Sequence, residues 1–267
     1  MSAPLRLSGR RVAITGAAAG IGLGSARAYA AAGARVMLAD IDRDAGEAAA
    51  ASIREAGAEA RFMACDVADS AAVDALVAAT LAAWGGIEVM HANAGIELCR
   101  SIADTSDDEW QRILAINLSG TFWCARAAMR AMRGAGGGVI TFTASPHAFV
   151  TSRDIAAYAA TKGGQVALMR ATALEGAPFG IRANALLPGA TDTPMLKRES
   201  EANPDPAALL RGFAEAQPLG RLATPEDLGR AAVFLASDDA GFVTGTCLAV
   251  DGGLMATINA GPVLSYT

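Results

Sequence analysis

Short apolar runs alternate with longer amphipathic stretches along most of this chain. The runs cover 11–15 (RVAIT), 35–39 (RVMLA), 60–65, 87–91, 138–143 (GVITFT) and 181–187. Each is continuous rather than alternating, as expected of strands buried on both faces. The amphipathic stretches cover 21–32, 42–56, 70–84, 107–133 and 155–177, and their spacing predicts helices. A strand–helix rhythm of this kind implies an α/β fold, a doubly wound parallel sheet with helices on both faces. No Pro/Ser linker divides the chain, so residues 1–267 read as a single domain. The run 134–138 (GAGGG) ends a helix rather than linking domains.

Residues 188–223 break the rhythm. Pro188, Pro194, Pro204, Pro206 and Pro218 fall there, with a mixed charge cluster at 197–201. An aperiodic stretch of that length inside one domain reads as a lid over a substrate site. The tail 254–267 carries no charged side chain. Its leucines, Met255, Ile258, Val263 and Tyr266 should pack on a neighbouring subunit, since an exposed apolar tail invites aggregation.

Composition narrows the function. Hydrophobic residues make up 52% of the chain and charged ones 18%, enough for a large core. No run reaches the ~18 uncharged apolar residues of a membrane helix, so no membrane partner is expected. The first residues lack the apolar core of a secretory signal. A net charge of −5 argues against a nucleic-acid partner. Cys65, Cys99, Cys124 and Cys247 have no CxxC spacing, which suggests reduced thiols in the cytoplasm. With two histidines and dispersed cysteines, no metal site is expected.

The first strand runs into Thr15-Gly16-Ala17-Ala18-Ala19-Gly20-Ile21-Gly22 and then a helix. A dinucleotide pyrophosphate needs backbone N–H donors at a helix N-terminus, with no side chains in the way. Gly16, Gly20 and Gly22 supply the turn, the close approach and the helix packing. Asp40 ends the second strand, where a carboxylate can accept from both adenosine ribose hydroxyls and would repel a 2′-phosphate. Ile41 comes next, so no base stands directly after Asp40 to neutralise that phosphate. This predicts NAD rather than NADP. Asp42 is free to cap the next helix. Asp66, after the third strand, is a candidate neighbour of the adenine. Asn93-Ala94-Gly95 forms a turn at the carboxyl edge of the sheet, where ligands bind in this architecture.

Tyr158-Ala-Ala-Thr-Lys162 lies in a helical stretch, so the two side chains share one face. The pairing stands out because the chain has two lysines and three tyrosines in all. A phenol titrates near ~10, and a nearby ammonium favours the phenolate. Ser145, just after the fifth strand, can hold a substrate oxygen beside the tyrosine.

These motifs, with Asn117 and Pro188-Gly189 through Thr193, resemble the short-chain dehydrogenase/reductase family in order and spacing. The resemblance runs from about residue 7 to residue 253. It implies a Rossmann-type sheet of about seven strands, the last near 247–250. It implies that Tyr158 is the general acid/base and Ser145 orients the substrate. Lys162 would bind the nicotinamide ribose and lower the tyrosine pKa, and Asn117 would hold a water in a proton relay. Thr193 and the main chain near Pro188 would grip the carboxamide. By the same resemblance Ile21, Val67, Gly189 and Thr191 join the cofactor site. A homotetramer is implied, with the long helices from Asp107 and Ile155 at one interface. Two positions depart from the family pattern: His91-Ala92 before the Asn-Ala-Gly turn, and Ala144 before Ser145.

The expected function is hydride transfer between NAD(H) and a secondary alcohol or ketone. Glu97 and His147 fall beside the expected reaction centre and favour a sugar or polyol. Phe149, Val150 and Met195 favour the alternatives, a hydrophobic secondary alcohol or a 3-oxoacyl thioester. A catalytically silent nucleotide-binding regulator on the same fold is the reading from a different class.

Overall fold

The computed structural model describes residues 6–201 and 203–257. Seven parallel strands form one sheet in the order β3-β2-β1-β4-β5-β6-β7. They are β1 (Arg11–Thr15), β2 (Arg35–Asp40), β3 (Ala60–Ala64), β4 (Val89–Ala92), β5 (Gly138–Thr143), β6 (Ile181–Pro188) and β7 (Cys247–Val250). The chain leaves β1 in one direction for β2 and β3, then returns to place β4 on the other side of β1. That reversal opens a crevice above the carboxyl ends of β1 and β4, the position where this architecture binds ligands.

Two apolar layers hold helices against the sheet. One packs α1 (Gly20–Ala31), α2 (Arg43–Glu55) and α9 (Pro225–Ala236) through residues such as Tyr29, Ile53 and Leu235. The other packs α3 (Ser70–Trp84), α5 (Gly120–Met132) and α6 (Ala156–Gly176) through Leu76, Met132 and Met169. Local chemistry sets the helix starts. Asp42 and Asp69 cap α2 and α3 through their carboxylates. Ser106 with Glu109 forms a capping box at α4 (Asp107–Ile113), and Thr224 with Asp227 forms one at α9.

The structure corrects two expectations. The stretch 107–133 is a composite rod: α4, a π-helical segment Leu114–Ser119, then α5. The π segment is a local insertion in the helical ladder, which simple periodicity does not reveal. Region 188–223 is not aperiodic loop. It carries α7 (Pro194–Glu201) and α8 (Pro206–Ala216), each started at a proline, whose fixed φ suits the first helical turn. Helix α9, beyond that region, lies outside the predicted rhythm, and it too starts at a proline. Of the tail, residues 258–267 lie outside the described residues, so its packing on a neighbour does too; Leu254–Ala256 form a short 3₁₀ turn.

Candidate active site

A cleft of about 720 Å³ lies over the crevice. The glycine loop, Asp40, Asp66, Val67, Asn93, Ala94, Gly95, Glu97, Ser145, His147, Tyr158, Lys162, Pro188, Gly189, Thr191 and Thr193 all line it. Thus nearly every residue singled out from the sequence is gathered there. Asn117 is buried just behind the wall.

The glycine loop is built by close packing. A Cβ on Gly22 would stand 1.9 Å from the carbonyl oxygen of Gly16. Gly16 has φ of 64°, and a Cβ there would lie 2.8 Å from Cα of Ala94. No side chain caps the N-terminus of α1, whereas α2, α3, α4 and α9 are all capped. The N–H groups of its first turn therefore remain available at the positive end of the helix. Those donors facing a cleft fit a dinucleotide phosphate.

Asp40 is held at the end of β2. Its carboxylate accepts from the N–H of Ala18 at 2.9 Å and of Asp42 at 3.1 Å. Asp42 caps α2, as expected, which leaves Asp40 to the cleft. Ile41 beside it is exposed.

Asn93 ties three strands together. Its amide nitrogen donates to the carbonyls of Thr15 at 3.0 Å and Gly16 at 3.1 Å. Its amide oxygen accepts from the hydroxyl of Thr143 at 3.0 Å. The turn after β4 is thereby fixed to the glycine loop and to β5.

Tyr158 and Lys162 sit on the cleft-facing side of α6, one turn apart. The Lys162 ammonium donates to the carbonyl of Thr143 at 2.9 Å. Burial lowers the Lys162 pKa to about 8, against an upward pull from Glu97. Burial pushes Tyr158 above the ordinary tyrosine value, and the Glu97 charge adds to this, while the Ser145 hydroxyl pulls it down. The lowering of the tyrosine pKa expected from Lys162 is not found: burial and the Glu97 charge dominate instead. Ser145 Oγ accepts from the N–H of His147 at 3.2 Å, which starts a short 3₁₀ turn. The Ser145 hydroxyl also faces the Tyr158 phenol, so the two hydroxyls stand side by side at the cleft wall. The His147 ring packs edge-on to Tyr158, centroids 5.8 Å apart, and burial lowers its pKa.

Asn117 lies in the π segment, with no surface exposed. Its side chain exchanges two hydrogen bonds with the main chain of Ile96, both at 2.8 Å, and donates to Thr161 at 3.2 Å. Asn117 is thus first a clamp on the loop after Gly95. A Cβ on Gly95 would lie 3.3 Å from Asn117 Oδ1 and 3.7 Å from Lys162 Nζ. The absent side chain leaves a polar gap between these two groups.

Glu97 enters the cleft from the loop after β4. Burial, with Glu199 nearby, raises its pKa to about 7. Glu199 reaches the same place from α7, and sequence reasoning missed it. The available signal was its i,i+4 spacing from Met195, which puts both on one face of a helix begun by Pro194. Glu97, Cys99 and Glu199 bring ligand-type atoms within 4.8 Å of one another. Thr193 begins α7, accepts from the N–H of Leu196 at 3.3 Å, and lies against Gly20. Asp154 has φ of 61°, the one positive φ outside glycine among the described residues, and it lines the same cleft.

Comparison with known proteins agrees with this geometry. A family model described as enoyl-(acyl carrier protein) reductase matches residues 16–255. A 2,5-dichloro-2,5-cyclohexadiene-1,4-diol dehydrogenase of Sphingobium indicum is 40% identical, covering 94% of this chain and 98% of its own. The chain belongs to the short-chain dehydrogenase/reductase family. Among other members, a D-threitol dehydrogenase of Mycolicibacterium smegmatis is 39% identical, covering 93% of this chain and 94% of its own. The crystal structure of levodione reductase superposes with a TM-score of 0.92 at 34% identity, covering 95% of this chain and all of the other. As a member of the family, the chain is an oxidoreductase acting on CH–OH donors and uses a nicotinamide cofactor.

Proposed function

We propose that this short-chain dehydrogenase moves a hydride between NAD(H) and a hydroxyl-rich secondary alcohol, a sugar or polyol, or the matching ketone. The observation that carries the reading is the convergence of Tyr158, Ser145 and Lys162 in one cleft that also contains Asp40. When bound, the nicotinamide would supply the acceptor for the hydride of the carbinol carbon. Tyr158 takes the hydroxyl proton as general base, and the Ser145 hydroxyl, beside it, turns to donate to the substrate oxygen. Lys162, anchored on Thr143, holds the nicotinamide ribose and adds positive charge near the phenol. A water in the gap left by Gly95 joins Lys162 to Asn117 and carries the proton onward. Thr191, Thr193 and the main chain of Pro188 and Gly189 grip the carboxamide. Asp40 would accept from the adenosine ribose hydroxyls, Asp66 and Val67 would meet the adenine, and the uncapped start of α1 at Gly20, Ile21 and Gly22 would take the pyrophosphate.

Helices α7 and α8 form the substrate lid. Glu97, Glu199 and the Nε2 of His147, whose Nδ1 already meets the Thr151 hydroxyl at 3.1 Å, offer hydrogen-bonding groups that a hydrocarbon substrate would leave unpaired, at about 1–3 kcal/mol each. The D-threitol and cyclohexadiene-diol dehydrogenases among the relatives act on diols or polyols, in keeping with this. Met195, Leu196 and Phe213 also line the cleft, which favours a hydrophobic secondary alcohol as the second reading. A substrate panel decides: NAD+ reduction is monitored with polyols, sugars and apolar secondary alcohols, in wild type and Glu97→Ala. The polyol reading expects Glu97→Ala to raise the KM of the best polyol far more than that of a simple alcohol. Equal effects, or no polyol turnover, decide for the apolar substrate. NAD+ binding without turnover on any alcohol would favour a silent regulator.

The assembly we propose is a homotetramer in the cytoplasm. Trp110, Phe122 and Leu174 are exposed on α4, α5 and α6, the helices expected at one interface. Packing against a second copy would cover them. All four cysteines are free thiols, which suits a reducing compartment. Sedimentation of the purified protein tests the assembly, and a monomeric mass would overturn it.

A further inference from the structure

His91 lies on β4 with no exposed surface, and the catalytic scheme does not use it. Both its ring nitrogens have partners. Nδ1 lies 3.1 Å from the Tyr29 hydroxyl on α1, and Nε2 lies 2.9 Å from the Thr143 hydroxyl on β5. Thr143 also meets Asn93, which holds the glycine loop.

Counting protons fixes the direction of every bond in this chain. The two carbonyls of Thr15 and Gly16 can only accept, so they consume both amide protons of Asn93. The Asn93 oxygen can then only accept, and the one proton of Thr143 must point to it. Thr143 oxygen must in turn accept from His91, so Nε2 carries the proton. Nδ1 is left as the acceptor, and Tyr29 donates. Burial holds the imidazole pKa down at about 3, so the ring stays neutral and its roles do not switch. The polar line thus runs from the back of α1, through the sheet, to the loop at the start of the same helix.

We propose that Tyr29, His91 and Thr143 form a directed strut that anchors the Asn93 amide, oriented by the Thr15 and Gly16 carbonyls, and thereby holds the phosphate loop in its binding shape. Thr143 is the positioning residue at its head, with His91 aiming the Thr143 hydroxyl. The two carbonyls fix which way the Asn93 amide faces, and the Thr143 hydroxyl gives its oxygen a donor and pins it in place. The main-chain carbonyl of Thr143 holds Lys162, so Thr143 supports both the loop and the lysine.

The inference rests on the NAD reading, so binding of NAD+ to the wild-type protein is titrated first. No binding there overturns that reading; once wild type binds, the variants test the strut alone. Thr143→Val keeps the shape and removes the hydroxyl. It should raise the Kd and KM for NAD+ about tenfold, while the KM for the alcohol changes less than about twofold. Thr143→Ser should restore NAD+ binding. His91→Leu should weaken NAD+ binding about threefold, and this effect should vanish in the Thr143→Val background, since both act on one path. Nitrogen NMR of the two histidines, assigned with a His147 variant, should show His91 protonated at Nε2 alone. Wild-type NAD+ affinity in Thr143→Val, additive effects in the double variant, or an Nδ1–H tautomer would each overturn the strut.

Discussion

The Lys162 ammonium stands 5.3 Å from the centre of the Tyr158 ring. One turn of α6 fixes that distance, and the hydrogen bond to Thr143 keeps the lysine from swinging away. The pair therefore acts as a unit, but its members should fail differently. Tyr158→Phe removes only the acid/base and should retain NAD+ binding while turnover falls about 10²–10⁴-fold or more. Lys162→Met should weaken NAD+ binding as well as the rate. Titration of NAD+ beside steady-state kinetics separates the two outcomes, and ordinary turnover in Tyr158→Phe would refute the assigned chemistry.

Glu97 gives the reaction a pH signature. Alcohol oxidation needs the Tyr158 phenolate, so its rate should rise with pH. Above about 7 Glu97 ionises, and its charge opposes a second negative charge on the phenol. Glu97→Gln removes that opposition and lowers the tyrosine pKa. The rising limb of the kcat/KM profile should move to lower pH, by up to about one unit. A limb that stays in place or moves upward would show that the carboxylate does not act on Tyr158.

Cofactor choice should track Asp40. Wild type should reduce NAD+ in preference to NADP+. Asp40→Ala with Ile41→Arg removes a repelling carboxylate and adds a base, and the ratio of kcat/KM values should swing toward NADP+. A wild type that already works better with NADP+ would contradict the role given to Asp40.

The glycine loop has no room for a methyl group at Gly22. Gly22→Ala should abolish measurable NAD+ binding and lower the melting temperature, because the Gly16 carbonyl must move. Calorimetry on the free protein reads the second effect independently of the cofactor. An unchanged melting temperature would mean that α1 can shift as a body.

Strands β1 to β6 are legible in the sequence because they read as unbroken apolar runs, whereas the partly exposed β7 is expected only from the family resemblance; the glycine loop is legible because only glycine fits its turns. Tyr158 and Lys162 are legible because lysine is scarce in this chain. What escapes has a physical reason in each case. The π segment holding Asn117 depends on a ladder shift that side-chain periodicity does not encode. Helices α7 and α8 are short and come after prolines, so their start signals resemble those of a turn. Glu199 acts across the cleft from Glu97, at a distance of about a hundred positions in sequence, and no local pattern pairs them. The strut is half visible: His91 stands out as a departure from the family pattern, but its partners on α1 and β5 come together only in three dimensions.

The reversal of strand order between β1 and β4 divides the sheet into two territories. Asp40 stands on one, at the tip of β2; Ser145 stands on the other, beyond β5. Preference for one dinucleotide over another can drift on the first side while the reacting alcohol is exchanged on the second. Changes at residues 40 and 41 should then combine with changes at 97 or 199 as independent increments. A lineage built on this scaffold can acquire new substrates by altering α7 and the loop after β4, and keep its choice of dinucleotide untouched.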